Sequence, residues 1–243
     1  MNQLLQKIDE LQKIINTKRP LNEIEQKELK DYFAIGLTYS SNALEGNSLT
    51  ISETKVILED GLTVGGKPLK DILEAVGHKR AYDFMYNLTK EKTILEEHIK
   101  QLHKLFYQGI DETNAGVYRK QRVFISGSEY NVAPYDQIDM LMSAMIEKFN
   151  KVRAAEHPVV FAAKLHQEFV YIHPFVDGNG RVARLLLNLA LLQDGYPIVV
   201  IPPICRSEYI AALEKGHENE NVFIEFIMER VVEAQRDYIR LIG

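Results

Sequence analysis

The chain of 243 residues is 46% hydrophobic and 26% charged, which supplies enough apolar side chains for a packed core. Its formal net charge of −5 argues against a nucleic-acid-binding protein, because such proteins usually present a basic surface. The single cysteine, Cys205, excludes an internal disulfide framework and suits a reducing compartment.

Segments that would direct the chain into a membrane or out of the cell are not predicted. No stretch approaches about 18 uninterrupted apolar residues, so we expect no membrane span. Residues 1–10 are amphipathic and carry charges throughout, without the apolar run of a secretory signal. A cytoplasmic location is therefore the simplest expectation.

Helical periodicity runs through most of the chain. Apolar residues three and four positions apart predict helices over 4–15, 21–44, 52–61, 69–88, 95–106, 135–152, 158–172, 181–193, 207–215 and 222–241. Breaks fall at Pro20, Gly61 and Pro197, because these residues interrupt helical geometry. The linker candidate at 65–68 is too short to separate two free domains. The pattern therefore predicts a single all-α domain spanning 1–243.

One segment has β-type rather than helical composition. Val123, Phe124 and Ile125 favour a strand, and the Ser-Gly-Ser sequence at 126–128 is typical of a tight turn. The sequence therefore predicts one short β-hairpin within 116–130.

The most informative motif begins where the helix predicted over 158–172 should end. Pro174 lacks an N–H and disfavours α geometry in His173, so His173 should lie at the exit of that helix. Gly178 and Gly180 permit a turn that points several backbone N–H groups into one concavity. The N-terminus of the next helix adds further donors, which makes this turn a candidate anion site.

Charged side chains follow in the same motif. Asp177 offers the kind of oxygen ligand that Mg²⁺ prefers, and Mg²⁺ usually takes one or two carboxylates together with phosphates. Arg181 and Arg184 are three residues apart, so both can reach phosphate oxygens from one helix face. A neutral His173 with a pKa near the reference value of about 6.5 is a competent base. Together these residues could hold a metal-bound polyphosphate beside a general base.

Residues 173–184 resemble the signature of the Fic family, HPFx(D/E)GNGRxxR, at every fixed position. Most Fic proteins move AMP from ATP onto a Ser, Thr or Tyr hydroxyl of a protein and release pyrophosphate. The resemblance implies ATP as a substrate, Mg²⁺ as a cofactor, a protein target as partner and the all-α Fic fold with a β-hairpin flap. No nucleic-acid or membrane partner is expected.

The resemblance also implies roles for individual residues. His173 would be the general base that takes the proton from the target hydroxyl, and Asp177 would hold Mg²⁺ between the α- and β-phosphates. Asn179 and the backbone N–H groups of Gly178 and Gly180 would bind the phosphates.

The two arginines would hold the outer phosphates. Arg181 would contact the β-phosphate side, and Arg184 would bind the γ-phosphate. In the resembling Doc-type kinases a lysine replaces the glycine at position 180, and the nucleotide binds reversed. Gly180 therefore favours AMP transfer over phosphorylation.

A second motif lies upstream, at 41–47, and resembles the family's inhibitory motif (S/T)xxxE(G/N). Ser41 and Glu45 are four apart, so they share a helix face, and Gly46 suits a left-handed C-terminal cap. In the family this glutamate pairs with the second arginine of the signature, here Arg184. The resemblance implies a self-inhibited enzyme in which that ion pair occupies the γ-phosphate seat and Ser41 hydrogen-bonds beside it.

Two further assignments follow from the resemblance. The hairpin within 116–130 corresponds to the family's flap, which pins the target segment by strand addition. Tyr209 is a candidate contact for the adenine or ribose, with a plain core tyrosine as the alternative. Residues 1–60 would carry the inhibitory motif and residues 65–226 would form the catalytic core.

Several readings stay open at this point. Within the family, the protein could modify itself, form a homodimer, remove AMP, or transfer UMP or phosphocholine. Outside it, a binding module without activity and a metal hydrolase using His157, His166, His173 and Asp177 are alternatives. The metal hydrolase is disfavoured because no HExxH or similar compact ligand pair occurs.

Overall fold

The computed structural model describes all 243 residues and contains ten α-helices and no β-strand, which confirms the all-α prediction. The helices are α1 (Asn2–Thr17), α2 (Glu23–Ala43), α3 (Ile51–Lys55), α4 (Leu69–Asn87), α5 (Glu96–Tyr107), α6 (Ile138–Val152), α7 (Pro158–Ile172), α8 (Asn179–Gln193), α9 (Arg206–Gly216) and α10 (Glu220–Leu241). None of the helices combines the length and the apolar character that crossing a membrane requires.

Helix α8 lies at the centre of the bundle. It is buried from Arg181 through Leu191 without interruption, and it packs against α7, α4, α5 and α2. A helix that is buried on every face has no solvent side on which to place charged residues. The two arginines at its N-terminal end, Arg181 and Arg184, are therefore inside the protein and need partners there.

Helix α2 lies against α4 and the N-terminal end of α8. Asn22 and Glu25 form a capping box that fixes its start. Gly46 takes a φ of 91° just beyond its C-terminal end, as predicted from the preference of glycine for left-handed geometry. This ending directs Glu45 towards α8.

The predicted β-hairpin within 116–130 is wrong. Between residues 120 and 134 only one backbone hydrogen bond forms, from the Ser128 N–H to the Ile125 carbonyl at 3.3 Å. The Arg119 guanidinium instead holds the two arms of this loop, through the carbonyls of Gln121 and Ala133. A hairpin without a third strand is only marginally stable, so side-chain bonds decide the conformation here.

Helix α8 also begins earlier than its apolar pattern predicts. It starts at Asn179 instead of Arg181, because Gly178 serves as its N-cap in left-handed geometry with a φ of 79°. The N–H groups of residues 179–181 are therefore first-turn donors that lack a carbonyl four residues back in the helix.

Candidate functional site

The conformation of His173 is the first feature of the site. His173 is the only non-glycine residue with a positive φ, at 52°, and it ends α7 in left-handed geometry. This geometry costs a non-glycine residue about 1–2 kcal/mol, so neighbouring contacts must hold it. Arg119 supplies two of them: its Nε donates to the His173 carbonyl at 2.8 Å and its backbone N–H donates to the Pro174 carbonyl at 2.9 Å.

Arg119 joins the loop after α5 to the residues beside His173. Its side chain is buried, and its Nη1 and Nη2 donate to the carbonyls of Gln121 at 2.9 Å and Ala133 at 2.6 Å. Sequence analysis assigned no role to Arg119. In the sequence Arg119 stands among other basic residues, Lys120 and Arg122, and periodicity alone does not separate it from a surface residue.

The imidazole of His173 borders a cavity of about 200 Å³ together with Glu45 and Gly180. Burial, together with the nearby positive charge of Arg119, lowers the pKa of His173 to about 4. His173 is therefore neutral at pH 7 and has a lone pair with which to accept a proton.

Asp177 is the one carboxylate of the signature loop. Its Oδ1 accepts hydrogen bonds from the Gly178 N–H at 2.6 Å and from Arg181 Nη2 at 2.8 Å, and its Oδ2 lies 3.7 Å from Lys70 Nζ. Burial raises the pKa of Asp177, but Arg181 and these hydrogen bonds outweigh it, so the pKa is lowered. The carboxylate is therefore ionised, and the Asp177 side chain is 40% exposed to solvent.

The donor set around Asp177 fits Mg²⁺ that arrives with a polyphosphate. No group of three or more His, Cys, Asp or Glu side chains lies together in a way that could hold a metal ion alone. One partly exposed carboxylate is sufficient for Mg²⁺ when phosphate oxygens and water complete its octahedral shell.

Asn179 is buried and holds the loop from the inside. Its Oδ1 accepts from the Phe175 N–H and its Nδ2 donates to the Phe175 carbonyl, both at 2.9 Å. Both polar atoms of the Asn179 amide therefore hydrogen-bond to the backbone of the turn and stabilise its conformation. Direct phosphate contacts at this end of α8 would come from first-turn backbone N–H groups, because that is where free donors and the positive end of the helix dipole coincide.

Arg181 is fixed by three neighbours. Its Nη1 donates to Glu74 Oε1 at 2.8 Å, its Nη2 donates to Asp177 Oδ1 at 2.8 Å, and its guanidinium carbon lies 4.6 Å from the centre of the Phe106 ring. Glu74 comes from α4, more than 100 residues earlier in the chain, and sequence analysis did not find it. The arrangement holds a buried positive charge beside Asp177.

His103 on α5 connects the two loops of the site. Its Nδ1 accepts from the Gly116 N–H at 2.8 Å, which leaves Nε2 to donate to the Asp177 carbonyl at 3.0 Å. Its ring stacks flat on Phe175 with 3.7 Å between centroids. Burial lowers the pKa of His103 to about 4, so it stays in this neutral tautomer.

Glu45 and Arg184 form a salt bridge beside Gly180, in the first turn of α8, where the anion site is predicted. Arg184 Nη2 donates to Glu45 Oε1 at 2.8 Å, while Ser41 accepts from Arg184 Nε through its hydroxyl at 2.9 Å and from Nη2 through its carbonyl at 2.7 Å. Burial raises the pKa of Glu45, but Arg184 and Arg181 lower it by more, so the carboxylate is ionised. The structure thus brings together the predicted inhibitory residues and the second arginine of the signature.

Tyr209 lies behind this salt bridge. Its hydroxyl is 3.4 Å from Arg184 Nη1 and 3.0 Å from His166 Nε2, and its ring centre is 5.7 Å from the Arg184 guanidinium carbon. The residue is 5% exposed, so it supports Arg184 from the core, and part of it borders the cavity. His166 is fully buried and stacks on Phe223 with 4.9 Å between centroids.

Comparisons with known proteins agree with this site. The model of the Fic/DOC family matches residues 93–191, a range that includes His173, Asp177 and Arg184. The protein adenylyltransferase Fic of Drosophila persimilis is 34% identical over 194 residues, which cover 79% of this chain and 38% of that protein. The chain therefore spans about two fifths of the length of the curated relatives it matches.

Solved structures extend the match to the whole fold. A Fic-domain-containing signalling protein from Bacteroides thetaiotaomicron superposes with a TM-score of 0.90 at 27% identity, covering 97% of this chain and 96% of that one. Fic-1 from C. elegans superposes with a TM-score of 0.89 at 26% identity, covering 98% of this chain and 71% of that one. The signature loop, the helices around it and these matches agree, and the chain belongs to the Fic/DOC family.

Proposed function

We propose that this chain is a self-inhibited protein adenylyltransferase that moves AMP from Mg²⁺-ATP to a Ser, Thr or Tyr hydroxyl of a protein. One observation carries the proposal: a neutral His173 shares a cavity with Glu45, whose carboxylate neutralises the arginine suited to the outer phosphate. The name of the Drosophila relatives, protein adenylyltransferase Fic, supports the same activity.

The reaction would use residues already in position. The target hydroxyl gives its proton to the His173 imidazole while its oxygen bonds to the α-phosphorus of ATP, and the bond from that phosphorus to the pyrophosphate oxygen breaks. The N–H groups at the start of α8 and Arg181 would stabilise charge on the phosphate oxygens. Mg²⁺ held by Asp177 and the phosphates would neutralise charge on the departing pyrophosphate.

Inhibition would follow from the same geometry. Arg184 is 2% exposed and already bonded to Glu45 and Ser41, so a γ-phosphate cannot pair with it until Glu45 moves away. Moving Glu45 costs the energy of a partly buried, charge-assisted hydrogen bond. While Glu45 stays in place, ATP would bind with its outer phosphate displaced, and this would misplace the α-phosphorus relative to the base.

The test compares wild type, Glu45→Gly, Glu45→Gln and Glu45→Gly/His173→Ala after incubation with Mg²⁺-ATP, read by intact-protein mass spectrometry. We expect a gain of one AMP unit in Glu45→Gly, a smaller gain in Glu45→Gln, and none in wild type or the double variant. Glu45→Gln is the matched control, because it keeps the shape of the side chain and removes its charge.

Two outcomes would contradict the proposal. Equal modification of wild type and Glu45→Gly would show that Glu45 does not inhibit. Modification that persists in the double variant would remove His173 from the role of base. Thermal unfolding with and without ATP gives an independent reading, since ATP should stabilise Glu45→Gly more than wild type by binding its native state.

A further inference from the structure

The loop after α5 passes over the cavity that contains His173. Residues 126–128, the Ser-Gly-Ser turn of this loop, border that cavity of about 200 Å³ together with His173, Glu45 and Gly180. Gly127 takes a φ of 84°, which lets the chain reverse direction at this point. A segment of the chain itself therefore borders the same cavity as the proposed base.

Contacts with α9 and the residues that follow it hold the turn over the cavity. The Tyr130 ring stacks on His217 with 3.9 Å between centroids, and His217 stacks on Tyr171 of α7 with 3.7 Å. The Glu129 N–H also donates to Glu214 Oε2 at 3.1 Å. The turn is thus attached to residues that line the same cavity.

Five side-chain hydroxyls border the cavity: Ser126, Ser128, Tyr130, Tyr171 and Tyr209. The Tyr171 hydroxyl donates to the Leu213 carbonyl at 2.8 Å and accepts from Gln167 Nε2 at 2.7 Å. Tyr209 is buried between Arg184 and His166. Neither hydroxyl is free to attack a phosphate.

The remaining three hydroxyls belong to the loop. Ser128 Oγ accepts from the Tyr130 N–H at 3.2 Å and donates to the Tyr130 carbonyl at 3.3 Å, and the Tyr130 hydroxyl donates to Glu218 at 3.3 Å. Ser126 is exposed and its hydroxyl forms no hydrogen bond with the protein. Among the five hydroxyls that border the cavity, only that of Ser126 belongs to an exposed residue and forms no hydrogen bond with the protein.

We infer that Ser126 is the acceptor when the chain modifies itself, within one molecule, once Glu45 has released Arg184. This inference rests on the proposed transferase activity. Ser126 Oγ forms a bond to the α-phosphorus of ATP, its proton passes to His173, and the bond to the pyrophosphate oxygen breaks, so that pyrophosphate leaves with the electron pair. Because the loop is attached beside the base, the hydroxyl has the high effective concentration of an intramolecular group.

The experiment uses the full chain carrying Glu45→Gly, incubated with Mg²⁺-ATP and mapped by peptide mass spectrometry. We expect AMP on the peptide containing residues 126–128 and, by fragmentation, on Ser126. Ser126→Ala in this background should lower the rate of modification at least tenfold. Ser128→Ala is the matched control in the same turn and should retain modification, as should Ser126→Thr, which keeps a hydroxyl.

A dilution series separates reaction within one molecule from reaction between two. The fraction modified per minute should stay constant over a hundredfold change in protein concentration. A rate that rises in proportion to concentration would overturn the intramolecular step.

AMP found on another residue, or unchanged in Ser126→Ala, would overturn the assignment of Ser126 and leave the transferase proposal intact. No AMP on any residue of Glu45→Gly would contradict both. Matching unfolding midpoints for the Ser126→Ala and Ser128→Ala variants would show that a difference in rate does not come from misfolding.

Discussion

At the scale of a single residue, Gly180 would connect the proposed inhibition with the choice of reaction. A Cβ built on Gly180 would overlap Glu45 Oε1 and would lie 3.0 Å from Arg184 Nη1, so only glycine leaves room for the salt bridge as it stands. In the Doc-type kinases, lysine occupies the position that corresponds to Gly180. A larger residue at position 180 would therefore affect the binding of the nucleotide and the closing of Glu45 together.

Gly180→Ala should weaken inhibition. Alanine suits the first turn of α8 better than glycine by up to about 1 kcal/mol, so the helix should keep its place while the Glu45 carboxylate is displaced. We expect Gly180→Ala to gain AMP in the mass-spectrometric assay, in which wild type gains none. The comparison is Glu45→Gly against Glu45→Gly/Gly180→Ala, which should not differ, because the displaced group is absent from both.

The opposite result has a clear meaning. If Gly180→Ala gains no AMP and Glu45→Gly/Gly180→Ala gains less than Glu45→Gly, the new methyl group obstructs the nucleotide and does not act through Glu45. A double-mutant cycle of this kind isolates the contact between the two positions.

At the scale of elements, the helices could be predicted because their limits are local. The breaks at Pro20 and Gly61 and the repeat of apolar residues require no knowledge of distant parts of the chain. The start of α8 differs by two residues, because Gly178 caps the helix with a backbone geometry that apolar periodicity does not report. The hairpin prediction failed since its strands have no third partner, and side-chain bonds from Arg119 hold the loop instead.

The site could be predicted in part for the same reason. The signature and the inhibitory motif are short stretches of sequence, and the structure brings Glu45 and Arg184 within 2.8 Å although 139 residues separate them. Glu74 and His103 have no such motif. Their roles come from contacts between helices that are distant in sequence, with Arg181 in one case and with Asp177 in the other.

Arg119 couples the loop to the site, and its replacement should affect both. Arg119→Met would leave the carbonyls of His173, Gln121 and Ala133 without their buried donor, at a cost of about 1–3 kcal/mol for each carbonyl that water does not reach. We expect a lower unfolding midpoint and, in the Glu45→Gly background, a loss of transfer that exceeds the loss of ATP affinity.

Arg119→Lys is the control for charge. Lysine restores a positive charge but lacks the planar fork that reaches several carbonyls at once, so it should recover little of the loss. Full recovery by lysine would mean that the charge near His173 matters and that the hydrogen bonds to the loop do not.

At the scale of the whole molecule, histidines kept neutral inside the protein determine its response to acid. Burial, together with the positive charge of Arg184, lowers the pKa values of His78 and His166 to about 3. In the unfolded chain these groups return to values near 6.5. Between about pH 6.5 and pH 4 the unfolded chain therefore binds protons that the folded chain excludes, and the free energy of unfolding falls as the pH falls.

The carboxylates extend this trend to lower pH. The pKa values of Glu45 and Asp177 are lowered in the folded protein from ordinary values of 4.5 and 3.8, so their contribution to stability is present above those values and is lost as the pH falls below them. As the pH falls, the buried histidines therefore lower the free energy of unfolding before the carboxylates do. The salt bridge between Glu45 and Arg184 remains ionised over the pH range in which the histidines act.

Urea unfolding between pH 4.5 and pH 7.5 should show the part of this pH dependence that comes from the histidines. Each buried histidine contributes a slope of up to about 1.4 kcal/mol per pH unit below pH 6.5, and none above pH 7.5. His166→Gln keeps a polar group facing the Tyr209 hydroxyl but cannot gain a proton, so the slope should decrease by about one histidine's contribution. An unchanged slope in His166→Gln would mean that His166 is protonated in the folded protein, which requires a hydrogen-bond partner that its buried Nδ1 lacks.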